Sequence, residues 1–325
     1  MGKYILKRLG LLIFTFWIIF TISFFLVRAL PVPIIVAPGS DGEAIAARFR
    51  EEMGYNDPII IQYFNYFVRL FTAEKGGHFG YSFQIEWLAS PWELLVKRFP
   101  PTVLINVYTM IIAVPIGLGL GILMALRKNK PDDHILSVVI MLFISVPSFV
   151  YAFLVQYLFG SVWKVLPLTL APVSQYGGNW FHPEMFKSML PAIISMSFGT
   201  IAGFARYTRA ELTEVLTSDF MLLARTTGLT RAQATVRHAF RNSLVPIFPM
   251  ILGEFIGILS GSVIIESIFA VGGVGGLFLT SINMRDYDVF LFVGMFYVLI
   301  GLFAGLIVDL SYGIVDPRIR MGAKK

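Results

Sequence analysis

Six separate stretches of this chain are long and apolar enough to cross a bilayer, and they limit its fold more than any motif does. They run from about Leu9 to Leu30, Thr102 to Leu126, Ile135 to Gly160, Met189 to Ala205, Leu244 to Ala270 and Val289 to Ser311. In hydrocarbon a span must satisfy its own N–H and C=O groups, so non-barrel segments of this length are helices. The 325 residues are 56% hydrophobic and 14% charged, with a mean hydropathy of +0.74, which excludes a water-soluble globule. The first run is too long for the apolar region of a cleavable signal, so it is predicted to remain as a membrane helix.

The basic residues predict the orientation. Lys3, Lys7 and Arg8 precede the first span, and Arg127, Lys128 and Lys130 follow the second. Arg206, Arg209, Arg225, Arg231, Arg237 and Arg241 crowd the fourth connection, and Arg318, Arg320, Lys324 and Lys325 close the chain. The intervening third and fifth connections carry only Lys164, Lys187 and Arg285. By the positive-inside rule this pattern puts both termini in the cytoplasm. The formal charge of +6 therefore reads as orientation rather than as a nucleic-acid surface.

The first connection, about Pro31 to Phe99, is long enough to escape that rule and reads as an ordered outer layer, with a turn signal at Pro38–Gly42. Ser90, Pro91 and Glu93 mark a helix start. Trp92, Leu95, Val96 and Phe99 are expected on one side of a helix lying at the interface, separated from the second span by Pro100 and Pro101. The glycines of Gly117–Gly121 and Gly253–Gly261 are expected to let helices approach closely.

Several chemistries are missing. No GxxxxGK[ST] loop occurs, so the chain has no visible means of hydrolysing ATP. No HExxH or GxSxG pattern supports proteolysis, and there is no cysteine for disulfides, thiolate metal sites or Cys catalysis. The four histidines, at 78, 134, 182 and 238, are far apart. Glu254, Glu266 and Asp309 lie within spans, where an ionisable group is costly and marks a functional position by default. For Glu266 and Asp309 the competing reading is a helix-end carboxylate in a local network. Glu254, about 15 Å into its span, requires a polar cavity or another subunit.

One polar stretch, Ser218 to Pro246, interrupts the apolar blocks. Ser218 and Asp219 are expected to cap a short helix whose apolar side carries Phe220, Leu223 and Ala224, and Gly228 stops it. Thr230 and Gln233 form a capping-box pattern for a second helix. By itself this is either a well-capped loop or a docking element.

That stretch resembles the signature loop of ABC importer permeases, in the form found in B-type permeases of oligopeptide and dipeptide transporters. The resemblance rests on DFMLLARTTGL at Asp219–Leu229 and RHAFRNSLVP at Arg237–Pro246, with Leu223, Thr226 and Thr227 departing from the usual pattern. YILKRLG, FGYS at Phe79–Ser82, SVPSF at Ser145–Phe149, RDY at Arg285–Tyr287 and VDPRIR at Val315–Arg320 are also similar to family segments.

The resemblance implies an all-α polytopic protein with six transmembrane helices and a type I importer permease fold. It divides into residues 1–30, an extracytoplasmic layer 31–101 and a core 102–325 containing the cytoplasmic loop 206–243. It further implies a homologous C-type permease, two ATPase subunits that bind ATP and Mg, an extracytoplasmic binding protein and a peptide substrate, in the bacterial inner membrane. Carried over by position, the ATPase-coupling helix is Asp219, Phe220, Leu223, Ala224, Arg225, Thr226 and Thr227, with Gly228 as the turn and Arg231 just beyond. Glu254 and Glu266 are translocation-path candidates. Nickel complexes, glutathione or another small solute are alternative cargoes, and an ATPase-independent carrier or channel is the alternative class.

Overall fold

Proline decides where five of the helices begin. It lacks an N–H that the first turn would leave unbonded anyway, and its ring presets φ. In a computed structural model of the protein, α3 (Ile59–Phe71) and α6 (Ser148–Val155) follow Pro58 and Pro147 directly. The helices α4 (Pro91–Leu126), α5 (Pro131–Ser145) and α7 (Pro183–Leu216) start on proline itself. The structure describes residues 2–30, 42–52, 54–72 and 79–315. The turn signal at Pro38–Asp41, His78 and the basic end beyond Val315 lie outside them.

The other helices are α1 (Gly2–Arg28), α2 (Gly42–Glu52), α8 (Asp219–Thr226), α9 (Arg231–Ala234), α10 (Phe240–Gly257), α11 (Val263–Ile268), α12 (Val274–Asn283) and α13 (Tyr287–Val315). No strand occurs among the described residues. Among the described residues four helices are long and apolar enough to span: Ile5–Arg28, Pro91–Leu126, Pro183–Leu216 and Tyr287–Ser311.

The expected third span, 135–160, is not one straight helix. Its two halves, Pro131–Ser145 and Ser148–Val162, meet at a 98° bend, and counting the bent pair as one span brings the number to five. Val146 stands extended at φ −84° and ψ 127°, as a residue before proline prefers. The expected fifth span, 244–270, is also interrupted. Its helix ends at Gly257, the chain turns through Gly261 (φ 65°), and the short α11 follows. Two further boundaries move. The fourth span, expected over 189–205, extends to Leu216 and covers about 51 Å. Pro100 and Pro101 do not separate an interfacial helix from the second span, because α4 runs through both. Leu94 and Leu95 at the start of α4 are buried against α12 and α13, while Trp92 and Val96 are exposed, so Trp92, Leu95 and Val96 do not share one side.

Two compact units are distinguished, one comprising 1–102, 260–263 and 272–303, the other 103–259, 264–271 and 304–325. In the first, Phe20 and Phe24 of α1 pack with Tyr63 and Tyr66 of α3 and Leu291 of α13. Arg28 at the end of α1 donates to Asp288 Oδ1 at 2.7 Å, and the Tyr55 hydroxyl donates to Oδ2 of the same carboxylate. Asp286 is wrapped by a loop: its Oδ2 accepts from Ser82 Oγ at 2.6 Å and from the N–H groups of Phe83, Gln84 and Ile85 at 3.0–3.2 Å. The FGYS and RDY segments are thereby joined.

In the second unit α7 is the central helix, packed against α5, α6 and α10. Gly117 and Gly121 of α4 lie against it so closely that a Cβ would come within 2.8 Å of the Ile201 carbonyl and 2.6 Å of the Ala205 carbonyl. This is the close approach expected of that glycine cluster. In the later cluster Gly257 faces open space, and a Cβ at Gly253 would stand 3.8 Å from Val308, an ordinary contact rather than a close approach. Arg209 on α7 binds the fully buried Asp133 of α5 through two hydrogen bonds, at 2.6 and 2.8 Å.

Candidate functional site

The stretch from Ser218 folds as helix, glycine turn, helix. Ser218 has the extended backbone of an N-cap, but its hydroxyl donates to the Val215 carbonyl at 2.6 Å instead of capping α8. The expected side-chain cap is therefore absent, and Asp219 in the first turn meets the positive end of the helix dipole. At the other end Gly228 has φ 98°. Its N–H bonds the Arg225 carbonyl, and the Leu229 N–H reaches back to the Ala224 carbonyl at 3.3 Å. These two bonds form a Schellman stop, with Leu229 packed near Ala224 as that motif favours. The hydroxyls of Thr226 and Thr227 donate to the carbonyls of Leu223 and Ala224.

The second start is a complete capping box. Thr230 N–H donates to Gln233 Oε1 at 3.1 Å, and Gln233 N–H donates to Thr230 Oγ1 at 3.3 Å. Arg231 opens α9, a π turn over 235–239 follows, and α10 continues from it. The polar stretch is thus mechanically continuous with the next helix.

The faces of α8 differ from expectation. Met221 and Ala224 are the buried pair, packed with Ala125 of α4, Leu212 of α7, and Ala234 and Ala239. Phe220 and Leu223, expected on the packed side, are exposed at 42% and 64%, as is Leu222 at 63%. Residues 220–224 are all apolar, so periodicity could not choose a face. Beside this apolar outer surface Arg225 is exposed. One side of α8 is seated on the ends of two long helices, and the other presents large apolar side chains and a cation.

Glu254 and Glu266 occupy unlike environments. Glu254 is exposed on α10 and accepts from Thr200 Oγ1 of α7 at 3.3 Å. Glu266 is 5% exposed on α11, and Asp309 is half-buried on α13. The Asp133–Arg209 pair was missed in the sequence, where Arg209 reads as a loop charge. Asp132 and Asp133, directly after Pro131, were its available signal.

Residues 117–321 match the family model for the binding-protein-dependent transport system inner membrane component, and residues 1–106 match the N-terminal model for such membrane components. The chain belongs to this family. This permease is 34% identical over 99% of its length to the whole dipeptide transport system permease protein of Lactococcus lactis subsp. cremoris (strain MG1363). It is 32% identical over 98% of its length to the whole oligopeptide transport system permease protein of Escherichia coli (strain K12). Its fold is similar to that in the crystal structure of an amino acid ABC transporter with histidines. The TM-score is 0.50 at 20% identity, covering 68% of this permease and 94% of that chain. It is a multi-pass inner-membrane component of a transport system.

Proposed function

We propose that this permease is the membrane subunit of an ATP-dependent importer of dipeptides or oligopeptides, working by alternating access. The observation that carries the reading is its full-length similarity to relatives named for dipeptide and oligopeptide transport. In this reading a homologous C-type permease completes the pathway, and two ATPase subunits bind ATP and Mg on the cytoplasmic side. An extracytoplasmic binding protein delivers cargo. Both termini face the cytoplasm, residues 31–101 form the outer layer, and 102–325 form the permease core.

The coupling element is Asp219–Gly228, followed by Arg231. Its exposed Phe220, Leu222 and Leu223, with Arg225 beside them, fit a groove on an ATPase. Met221 and Ala224 rest on α4 and α7, so a push on the outer face moves helices rather than a loose loop. Glu254, bonded to Thr200, and Glu266 are assigned to the translocation path. Nickel complexes and glutathione are alternative cargoes.

Reconstituting the two permeases with both ATPase subunits and the binding protein tests the reading. ATP-driven uptake of a short peptide that requires the binding protein is the expected result. Uptake by this permease alone, driven by an ion gradient without any ATPase, would refute it. Glu254→Gln is expected to lower uptake, and wild-type uptake by the variant would return Glu254 to a structural role.

A further inference from the structure

The bend between α5 and α6 opens a cavity that the coupling element does not use. Its volume is about 510 Å³, within the range of small-ligand sites. Its walls are the break itself at Val146, Pro147 and Ser148, one side of α7 from Ser195 to Arg206, and Met250 of α10. From Ser195 to Arg206 is about 16 Å along the helix, and an extended peptide covers about 3.3–3.6 Å per residue. The length therefore accommodates a peptide of up to about four or five residues. Gly199 keeps the wall open, because a Cβ there would meet nothing within 4 Å.

The chemistry of the walls is uneven. Most of the lining is apolar or aromatic, and among the described residues Arg206 is the only charged side chain on it. Arg206 is exposed and has no hydrogen bond or ion pair among the described residues, whereas Arg209, one turn further along α7, is taken up by Asp133. At the opposite end the helix break leaves acceptors. Of the lining residues there, Phe143 has a carbonyl for which Pro147 offers no N–H, and the Ile144 carbonyl receives no backbone bond across the bend. Broken helices with freed carbonyls are a recurring way to build a substrate site inside a membrane protein.

We propose that Arg206 binds the C-terminal carboxylate of a short peptide in this cavity, with the freed carbonyls of the α5–α6 break accepting from the peptide's N–H groups. The proposal rests on the peptide-importer reading and adds a residue that recognises the substrate. A guanidinium suits the task because it pairs with a carboxylate in bidentate geometry and stays charged.

The test uses the absence of native cysteine, so Ser148→Cys gives this chain a single thiol. In the solubilised complex, maleimide modification is followed by the intact mass of this chain, with and without a dipeptide and with its C-terminal amide. The free-carboxylate dipeptide is expected to slow modification at least about fivefold and the amide to have little effect. Adding Arg206→Gln should abolish the protection, and Arg206→Lys should keep part of it. Equal protection by the amide, or protection that survives Arg206→Gln, overturns the proposal. So does no protection by either peptide when the wild-type complex imports the dipeptide with ATP. If the wild-type complex imports no peptide, the importer reading itself fails, and this inference falls with it. Co-purification of the ATPases with each variant checks that the complex is assembled.

Discussion

Gly228 carries a conformational constraint and no packing constraint. Its φ of 98° is unfavourable for other residues, while a Cβ there would meet nothing within 4 Å. Gly228→Ala should therefore cost about 1–2 kcal/mol through the backbone alone. Gly228→Val, which adds β-branching, should reduce transport-coupled ATPase activity while leaving membrane insertion intact. Unchanged coupling in the assembled complex would remove the turn from the mechanism. Asp286 makes a second prediction at this scale. Burial pushes its carboxyl up from the usual range, against the hydrogen bonds from Ser82, Gln84 and Ile85 that hold it down, and the charge of Asp288 adds to the rise. Such a carboxyl holds its proton more tightly folded than unfolded, so stability falls as pH rises through the window above the ordinary carboxylate value. Melting temperature measured across mildly acidic pH should show that slope, and Asp286→Asn should flatten it. An identical slope in the variant would mean that another group is responsible.

Among elements, the pairing of α4 with α7 separates glycines that look alike in the sequence. Gly117 and Gly121 lie one turn apart on the contact face, and Gly119 faces open space. Gly117→Ala and Gly121→Ala should each destabilise the protein by about 1–3 kcal/mol through overpacking. Gly119→Ala should be neutral or gain up to about 1 kcal/mol from helix propensity. Thermal unfolding of the three variants in one detergent checks this, and a uniform response would show that the contact does not hold the helices. The same scale explains the moved boundaries. Proline at Pro147 ends a helix because the residue before it becomes extended, whereas Pro100 and Pro101 stay inside α4, whose neighbouring turn is anchored by the buried Leu94 and Leu95. Local proline chemistry is the same in both places; the surrounding packing is different.

For the whole molecule the consequence is assembly. Replacing Leu222 and Leu223 together with aspartate should leave expression and membrane insertion unchanged, because both side chains are exposed, and should sharply reduce co-purification of the ATPases. Full recovery of the complex would move the docking surface elsewhere. Much of this was legible in the residues. Long apolar runs can satisfy their backbone in lipid only as helices, so the all-α membrane class followed from the sequence alone. So did the positions of α8, its Gly228 stop and the Thr230–Gln233 box, because caps and turns depend on neighbouring residues. Tertiary structure decided the rest. It buried Met221 and Ala224 rather than Phe220 and Leu223 in a run of five consecutive apolar residues. It took Arg209 for Asp133 and left Arg206 facing a cavity, although both are arginines in one short run. It also bent the third apolar stretch by 98° instead of leaving it straight. Those outcomes depend on which distant helix lies against each side chain, and such contacts are not encoded in any local pattern.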